Sequence, residues 1–291
     1  MIKVVTGSSG FIAGSLIEKS KFKNCFGIDR QAKQKYTDYV ANLSKIDLNK
    51  ILKSKKISYF YHFGGHSNLS YKNNFTKCFK EDLNSLMNIL NFLEKNKNKK
   101  IKFIYSSSSY VYQNNIIKKN IREEDYLNPN NGFGVAKTIF ENLIKYKYPN
   151  SVILRISSVF GKNAIKHPNL INNMYLSAKK NNEIEIWGSG KRYLQFININ
   201  NLVESIVRID RKFIPGIYNI GSKSNCTTKK IANIIASEFD KKINIKYKND
   251  IKEGESLPLM SIDKITNNKK INILDLNNQI INFCNEMKNN E

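Results

Sequence analysis

The chain opens on an apolar run, Ile2 to Val5, passes through a Gly/Ser turn into an amphipathic stretch from about Ile12 to Lys19, and reaches a second apolar run near Cys25 to Ile28. Short apolar runs between turn signals read as strands buried on both faces, and apolar residues spaced three and four apart read as helices. The opening is therefore one βαβ unit. The alternation continues through Tyr59 to Phe63, a long amphipathic segment from about Thr76 to Glu94, a strand over Lys102 to Tyr105, a helix from about Gly134 to Lys147 and a strand over Ser151 to Ile156. Strands separated by helices predict an α/β fold, a Rossmann-type doubly wound parallel sheet covered on both faces.

Beyond Ile156 the pattern is less regular. A loop around Lys162 to Asn169 precedes a helix from about Leu170 to Lys180, and Phe196 to Ile199 followed by a helix over Leu202 to Arg208 read as a return to the main sheet. Thr228 to Phe239 reads as a helix, Ile243 to Tyr247 as a strand and Asp250 to Pro258 as a loop. The expected division is a nucleotide-binding domain over residues 1–160 plus about 190–222, and a smaller C-terminal substrate-binding lobe over about 161–189 plus 223–291.

At 291 residues the chain is long enough for such a domain and lobe, and no stretch approaches the ~18 uninterrupted apolar residues of a membrane span. The first residues run directly into a strand pattern with no room for an export signal, and Cys25, Cys78, Cys226 and Cys284 are too scattered for a zinc site or a disulfide framework. No metal is called for, and a soluble, cytoplasmic protein is expected. The formal charge of +24 raises nucleic acid as a partner, but the lysines are mixed with asparagine and isoleucine along the whole chain. Scattered charge makes a basic surface without a reading face, so neither nucleic acid nor membrane is expected as a partner.

Candidate chemistry begins at the first turn. Thr6-Gly7-Ser8-Ser9-Gly10-Phe11-Ile12-Ala13 follows a strand and opens a helix, the context in which a glycine-rich turn cradles a pyrophosphate. Gly7 permits the turn and Gly10 the close approach of backbone to ligand, with Ser9, Phe11 and Ile12 completing the cradle. Asp29, at the end of the second strand, is placed to accept both ribose hydroxyls, which favours NAD; its neighbour Arg30 leaves NADP open.

Further segments agree in order: Ile46-Asp47-Leu48, His62-Phe63-Gly64-Gly65, Asn84, Phe103-Ile104-Tyr105 running into Ser106 to Ser109 and Tyr110-Val111-Tyr112, NGFGVAK, the run Arg155 to Gly161, and Tyr218-Asn219-Ile220-Gly221. On these segments the chain resembles the extended short-chain dehydrogenases, the NAD-dependent sugar-nucleotide epimerase/dehydratase family, over nearly its whole length. The resemblance implies that Asp47 and Leu48 lie at the adenine and that Phe63, Gly64 and Gly65 line the cofactor.

The resemblance also implies a Tyr-x-x-x-Lys pair with a serine. Positions four apart share a helix face, so the lysine ammonium can lower the phenol's pKa and hold the nicotinamide ribose. Ser108 is the serine and Lys137 the lysine, but the tyrosine position is Phe133, with Gly134 and Glu141 matching around it. Without the phenolic oxygen the chain should be nearly inactive in hydride transfer. Two explanations stand: a substitution introduced to trap substrate, or natural divergence to a binding protein or to another acid, with Tyr110, Tyr112 and His66 as candidates.

Ser109 and Tyr110 stand where a dehydratase of this resemblance carries an Asp-Glu pair, and the extra glutamate of a decarboxylase is missing as well. The expected reaction is then 4-epimerisation of a nucleotide-diphosphate sugar, with 4-keto reduction or non-catalytic binding as alternatives. Ser67, Ser108, Ser109, Asn169 and Leu170 in His167-Pro168-Asn169-Leu170, and Arg192 after Trp187-Gly188-Ser189-Gly190-Lys191 are the expected substrate contacts. Leu194 and Ser158 depart from the pattern, standing where relatives carry an arginine and an asparagine. The resemblance further implies a homodimer through the helices Asp82 to Glu94 and Gly134 to Lys147.

Overall fold

The computed structural model describes residues 1–19, 24–31, 35–113, 120–164, 169–269 and 271–289, the side chains of residues 99, 268 and 269 excepted. In chain order its elements are β1 (Ile2–Thr6), α1 (Phe11–Lys19), β2 (Cys25–Asp29), β3 (Tyr39–Val40), α2 (Leu48–Leu52), β4 (Ile57–His62), α3 (Asn68–Asn73), α4 (Phe75–Lys95), β5 (Lys102–Ser108), α5 (Gly132–Lys147) and β6 (Ser151–Ile156). Then follow β7 (Ser158–Phe160), α6 (Leu170–Asn181), β8 (Glu183–Trp187), β9 (Tyr193–Leu194), β10 (Phe196–Asn198), α7 (Ile199–Arg211), β11 (Gly216–Ile220), β12 (Cys226–Thr227), α8 (Thr228–Ser237), β13 (Asn244–Lys248), α9 (Asp263–Lys269) and α10 (Leu276–Lys288). They form two compact units, one of Met1–Tyr112, Tyr126–Arg155 and Ile206–Tyr218, the other of Gln113–Asp125, Ile156–Ser205 and Asn219–Glu291.

The first unit is built on a seven-stranded sheet in the order β11-β6-β5-β4-β1-β2-β3, Rossmann-like, with flanking helices. Parallel pairing sets Val4 beside Phe60 and Phe60 beside Phe103, so one row of side chains points to one face. That face is covered by Leu86, Ile89, Leu90 and Leu93 of α4 and by Ala136, Phe140 and Ile144 of α5, all buried with it in one core. Each fully buried Phe or Leu contributes about 1.5–3 kcal/mol relative to exposure.

Two polar networks interrupt this core. Glu141, 0% exposed, accepts from Arg155 Nε at 3.0 Å and Nη2 at 2.6 Å and from Ser107 Oγ at 2.6 Å, while Arg155, 1% exposed, also donates to the Tyr112 hydroxyl. At the other end of the sheet Asp210 is bonded by Lys3, accepts from the Tyr61 hydroxyl at 2.9 Å through its carboxylate, and accepts from Tyr59 at 2.7 Å through its carbonyl.

The second unit pairs β7 with β10 and β8 with β13 in parallel, and β9 with β12 antiparallel. Its core gathers Phe160, Tyr175, Ile184, Ile231 and Phe283. The expected return of Phe196 to Ile199 to the main sheet is overturned: Phe196–Asn198 pairs with Ser158–Phe160, and it is Gly216–Ile220 that joins the seven-stranded sheet. An apolar run signals burial and not the partner that buries it. The strand Glu183–Trp187, unanticipated, shows a Glu/Ile alternation with Ile184 and Ile186 inward, the signature of a half-buried strand.

Candidate active site

Gly7 adopts φ +70°, and a β-carbon there would lie 2.7 Å from the Gly64 nitrogen, so the first turn and the end of β4 meet backbone to backbone. Thr6 Oγ1 lies 2.7 Å from His62 Nδ1, and the Gly64 N–H reaches the same hydroxyl at 3.4 Å, tying the two strand ends together. Burial, then the charge of Lys137, pushes the His62 imidazole down to about 3, so it is neutral across the physiological range. Gly10 closes the turn with N–H to Gly7 O at 2.8 Å, and Phe11 and Ile12 form the first turn of α1.

The Asp29 carboxylate accepts from Ser9 N at 3.1 Å and from Gln31 N at 3.0 Å. A carboxylate has about four acceptor sites, so capacity remains for ribose hydroxyls beside the glycine turn. The close backbone approach, the helix start and this acid fit a dinucleotide, which Gly7, Gly10 and Asp29 could hold. Arg30 is exposed. Asp47 serves as N-cap of α2, accepting from Asn49 N at 2.9 Å, and Leu48 is buried behind it. Phe63 stacks on Tyr61 with 6.3 Å between ring centroids, and Gly65 lies against the Asp82 carboxylate.

Past β5 a tight turn, Ser109–Tyr112, carries the chain away from Ser108, whose Oγ accepts from Tyr110 N at 3.3 Å. Asn131 caps α5 through Gly134 N at 2.9 Å, setting Phe133 and Lys137 on successive turns. The Lys137 ammonium donates to Ser106 O at 2.9 Å and to the Tyr105 hydroxyl at 3.1 Å, and lies 5.5 Å from the Phe133 ring centroid. Burial lowers Lys137 to about 8, opposed by the negative charges of Asp82 and Glu141. The same burial raises the Tyr105 phenol well above its ordinary value. Phe133 is packed edge-on by Tyr71 at 5.6 Å and by Tyr110 at 5.9 Å. Ser109 is buried, with no hydrogen-bond partner at its hydroxyl among the described residues.

Asp82 escaped the reading of the sequence. Asn84, the residue singled out in that helix, is exposed, whereas Asp82 accepts from His66 N at 3.1 Å and from the Tyr71 hydroxyl at 3.0 Å and acts electrostatically on Lys137. The available signal was an acid on the inward stripe of α4, four residues from buried Cys78 and from Leu86. Of the alternative acids, Tyr112 is fully buried against Arg155, and His66 Nε2 lies 2.8 Å from Glu81. Exposed Ser67 is the N-cap of α3, accepting from Ser70 N at 3.1 Å.

In the second unit a cavity of about 580 Å³ is lined by Asn169, Leu170, Asn173, Trp187, Arg192 and Glu253, among others. Asn169 caps α6 through Asn172 N at 3.0 Å, and Asn173 and Ser177 follow along the same helix face into the cavity. Arg192 is held by its backbone N–H on Glu253 at 2.9 Å and by Nε on the Glu255 carbonyl. Three expected substrate residues thus belong to the first unit (Ser67, Ser108, Ser109) and three to the second (Asn169, Leu170, Arg192). His167 and Pro168 lie outside the described residues.

A parallel sheet whose first strand turns through glycines into a helix, with a serine at the end of β5 and a lysine on the next long helix, defines an extended short-chain dehydrogenase. The chain belongs to the NAD dependent epimerase/dehydratase family, whose profile matches residues 3–221; NAD is the cofactor of that family. It is similar to UDP-glucuronic acid decarboxylase 2 of Arabidopsis thaliana, 22% identical over 265 residues that cover 84% of this chain and 58% of the plant protein. The chain therefore spans less than two thirds of the length of that relative. Among solved structures, the UDP-glucose 4-epimerase of Thermotoga maritima superposes with a TM-score of 0.84 at 15% identity, covering 100% of this chain and 99% of the other. The UDP-N-acetylglucosamine 4-epimerase of Methanobrevibacter ruminantium gives 0.81 at 21% identity, covering 100% and 99%.

Proposed function

We propose that the protein acts at C4 of a nucleotide-diphosphate sugar, as a 4-epimerase. The observation that carries this is the grouping of Ser108, Lys137 and position 133 beside the glycine cradle in one unit. NAD supplies the acceptor and donor of hydride when bound. Gly7, Gly10 and Asp29 hold it, Lys137 positions its ribose through the proton not given to Ser106 and Tyr105, and Ser108 orients the sugar hydroxyl. Within the second unit, Arg192, Asn169 and Leu170 line a cavity in which a guanidinium suits an anionic group such as a diphosphate. Neither Ser109 nor Tyr110 carries the carboxyl group that would divert the ketone into elimination or decarboxylation.

Phe133 removes the ordinary proton-transfer oxygen and lowers turnover. A positioned acid or base is worth about 10²–10⁴-fold. Phe133→Tyr is expected to raise epimerisation by at least about 100-fold on a panel of UDP- and dTDP-sugars, read by chromatography of the products. Binding of NAD and of a sugar nucleotide without turnover in that variant would leave a binding protein instead. Exposed Arg30 beside Asp29 favours one second reading, a 4-keto reductase, which tighter binding of NADPH than NADH would establish.

On α5 the residues Val135, Ile139 and Tyr146 form an exposed apolar stripe, 37%, 39% and 85% accessible. This supports a homodimer, which light scattering would test. No helix among the described residues is long and apolar enough to cross a membrane, and the proposed site of action is the cytoplasm.

A further inference from the structure

If turnover survives at all in this chain, another oxygen must carry the proton that Phe133 cannot. Four phenols surround Phe133, Ser108 and Lys137, and the structure separates them. The Tyr71 hydroxyl is spent on Asp82 at 3.0 Å and its ring is 4% exposed. Tyr105 is 2% exposed and bonded to Lys137. Tyr112 is fully buried, with its hydroxyl against Arg155.

Tyr110 alone of the four is partly exposed, and its hydroxyl has no hydrogen-bond partner among the described residues. Its placement is fixed from both sides. Its backbone N–H holds Ser108 Oγ at 3.3 Å, its ring meets Phe133 edge-on at 5.9 Å and 81°, and its carbonyl lies so close to Gly134 that a β-carbon there would come within 2.5 Å. The Tyr110 backbone is therefore fixed between the serine and the start of α5 and its ring packs on Phe133, while its hydroxyl has no partner among the described residues. A buried or half-buried phenol ordinarily finds a partner, and an unpaired one whose ring packs on Phe133 is available to a ligand.

We propose that Tyr110 supplies the proton-transfer oxygen that Phe133 lacks, a proposal that rests on the C4 reading above. In the oxidising direction the Tyr110 oxygen, once it has released its own proton to solvent, takes the hydroxyl proton at C4, while the C4 hydrogen leaves with its electron pair to oxidised NAD and a C=O double bond forms. Reduction on the opposite face returns the hydride from the reduced nicotinamide and the proton from Tyr110.

Four NAD-loaded proteins test this: the unaltered chain, Tyr110→Phe, Phe133→Tyr and the double variant, each with the same sugar-nucleotide panel, with turnover measured and thermal stability as a control for folding. Tyr110→Phe is expected to lose about 100-fold or more of turnover and to keep NAD affinity within about twofold. The double variant is expected to turn over like Phe133→Tyr alone, because the restored phenol makes Tyr110 dispensable. Unchanged turnover in Tyr110→Phe would overturn the proposal. So would an inert unaltered chain beside an active Phe133→Tyr, an outcome that leaves the C4 reading intact. If Phe133→Tyr turns over none of the sugars, the C4 reading fails and Tyr110 falls with it.

Discussion

Glu141→Gln is the substitution whose cost the structure defines most sharply. The side chain keeps its shape, and its remaining carbonyl oxygen can still accept from Ser107 or Arg155, but the negative charge goes. Arg155, 1% exposed, then loses the carboxylate that faces its guanidinium, which also donates to the Tyr112 hydroxyl. Breaking a buried pair by removing one partner costs about 3–5 kcal/mol, and the retained hydrogen bond places Gln at the low end, about 3 kcal/mol. Urea unfolding measures it, and the single tryptophan is informative: Trp187 lies in the second unit, so its fluorescence follows that unit while tyrosine near-ultraviolet dichroism, dominated by the first, should register the loss earlier. Replacing both partners, Glu141→Met with Arg155→Met, is expected to recover most of the stability, since no charge is left buried. A cost below about 1 kcal/mol for Glu141→Gln would mean that water reaches the pair, and the reasoning from burial would be wrong.

Other expectations follow from the same geometry. With His62 held neutral to about 3 while the unfolded side chain protonates near 6.5, the unfolded state binds the extra proton between those values, so stability is full above pH 6.5 and falls on acidification toward 3. The slope is at most about 1.4 kcal/mol per pH unit, and His62→Gln should flatten it in pH-dependent denaturant melts. Lys137 carries its burial cost fully below pH 8, and relief comes between about 8 and 10.5 as the folded form loses its proton first. Lys137→Met should therefore stabilise the ligand-free protein by about 1–2 kcal/mol at pH 7, the partial exposure of the ammonium and two lost hydrogen bonds limiting the gain. That advantage should shrink above pH 8, and turnover should vanish. Gly7→Ala should abolish NAD binding in calorimetry, because φ +70° and the 2.7 Å approach to Gly64 leave no room for a methyl group; unchanged affinity would remove the glycine turn from the cofactor site.

The candidate residues of the first unit could be named from the sequence because their motifs are local. Glycines after a strand and an acid closing the next strand are set by backbone periodicity, so Gly7 and Asp29 could be named from spacing, whereas Phe133 and Lys137 were named from the family resemblance. Asp82 could not be named, since an acid on the inward stripe of α4 acquires meaning only when Gly65, Tyr71 and Lys137 are brought to it. The second unit was less readable for a related reason. Its strands are short and pair across long stretches of chain, β8 with β13 and β7 with β10, and hydrophobic pattern marks a strand as buried without naming its neighbour.

What the sequence by itself determined is the class of fold, the position of the phosphate turn and the absence of an oxygen at residue 133, because each depends on residue identity at a fixed offset. Only the tertiary structure decided which hydroxyls around that gap lack a partner among the described residues. Tyr71, Tyr105, Tyr110 and Tyr112 are chemically alike in one dimension. Burial and the partners Asp82, Lys137 and Arg155 commit three of them and leave Tyr110, and such commitments are made between residues distant in sequence by packing that no local pattern records.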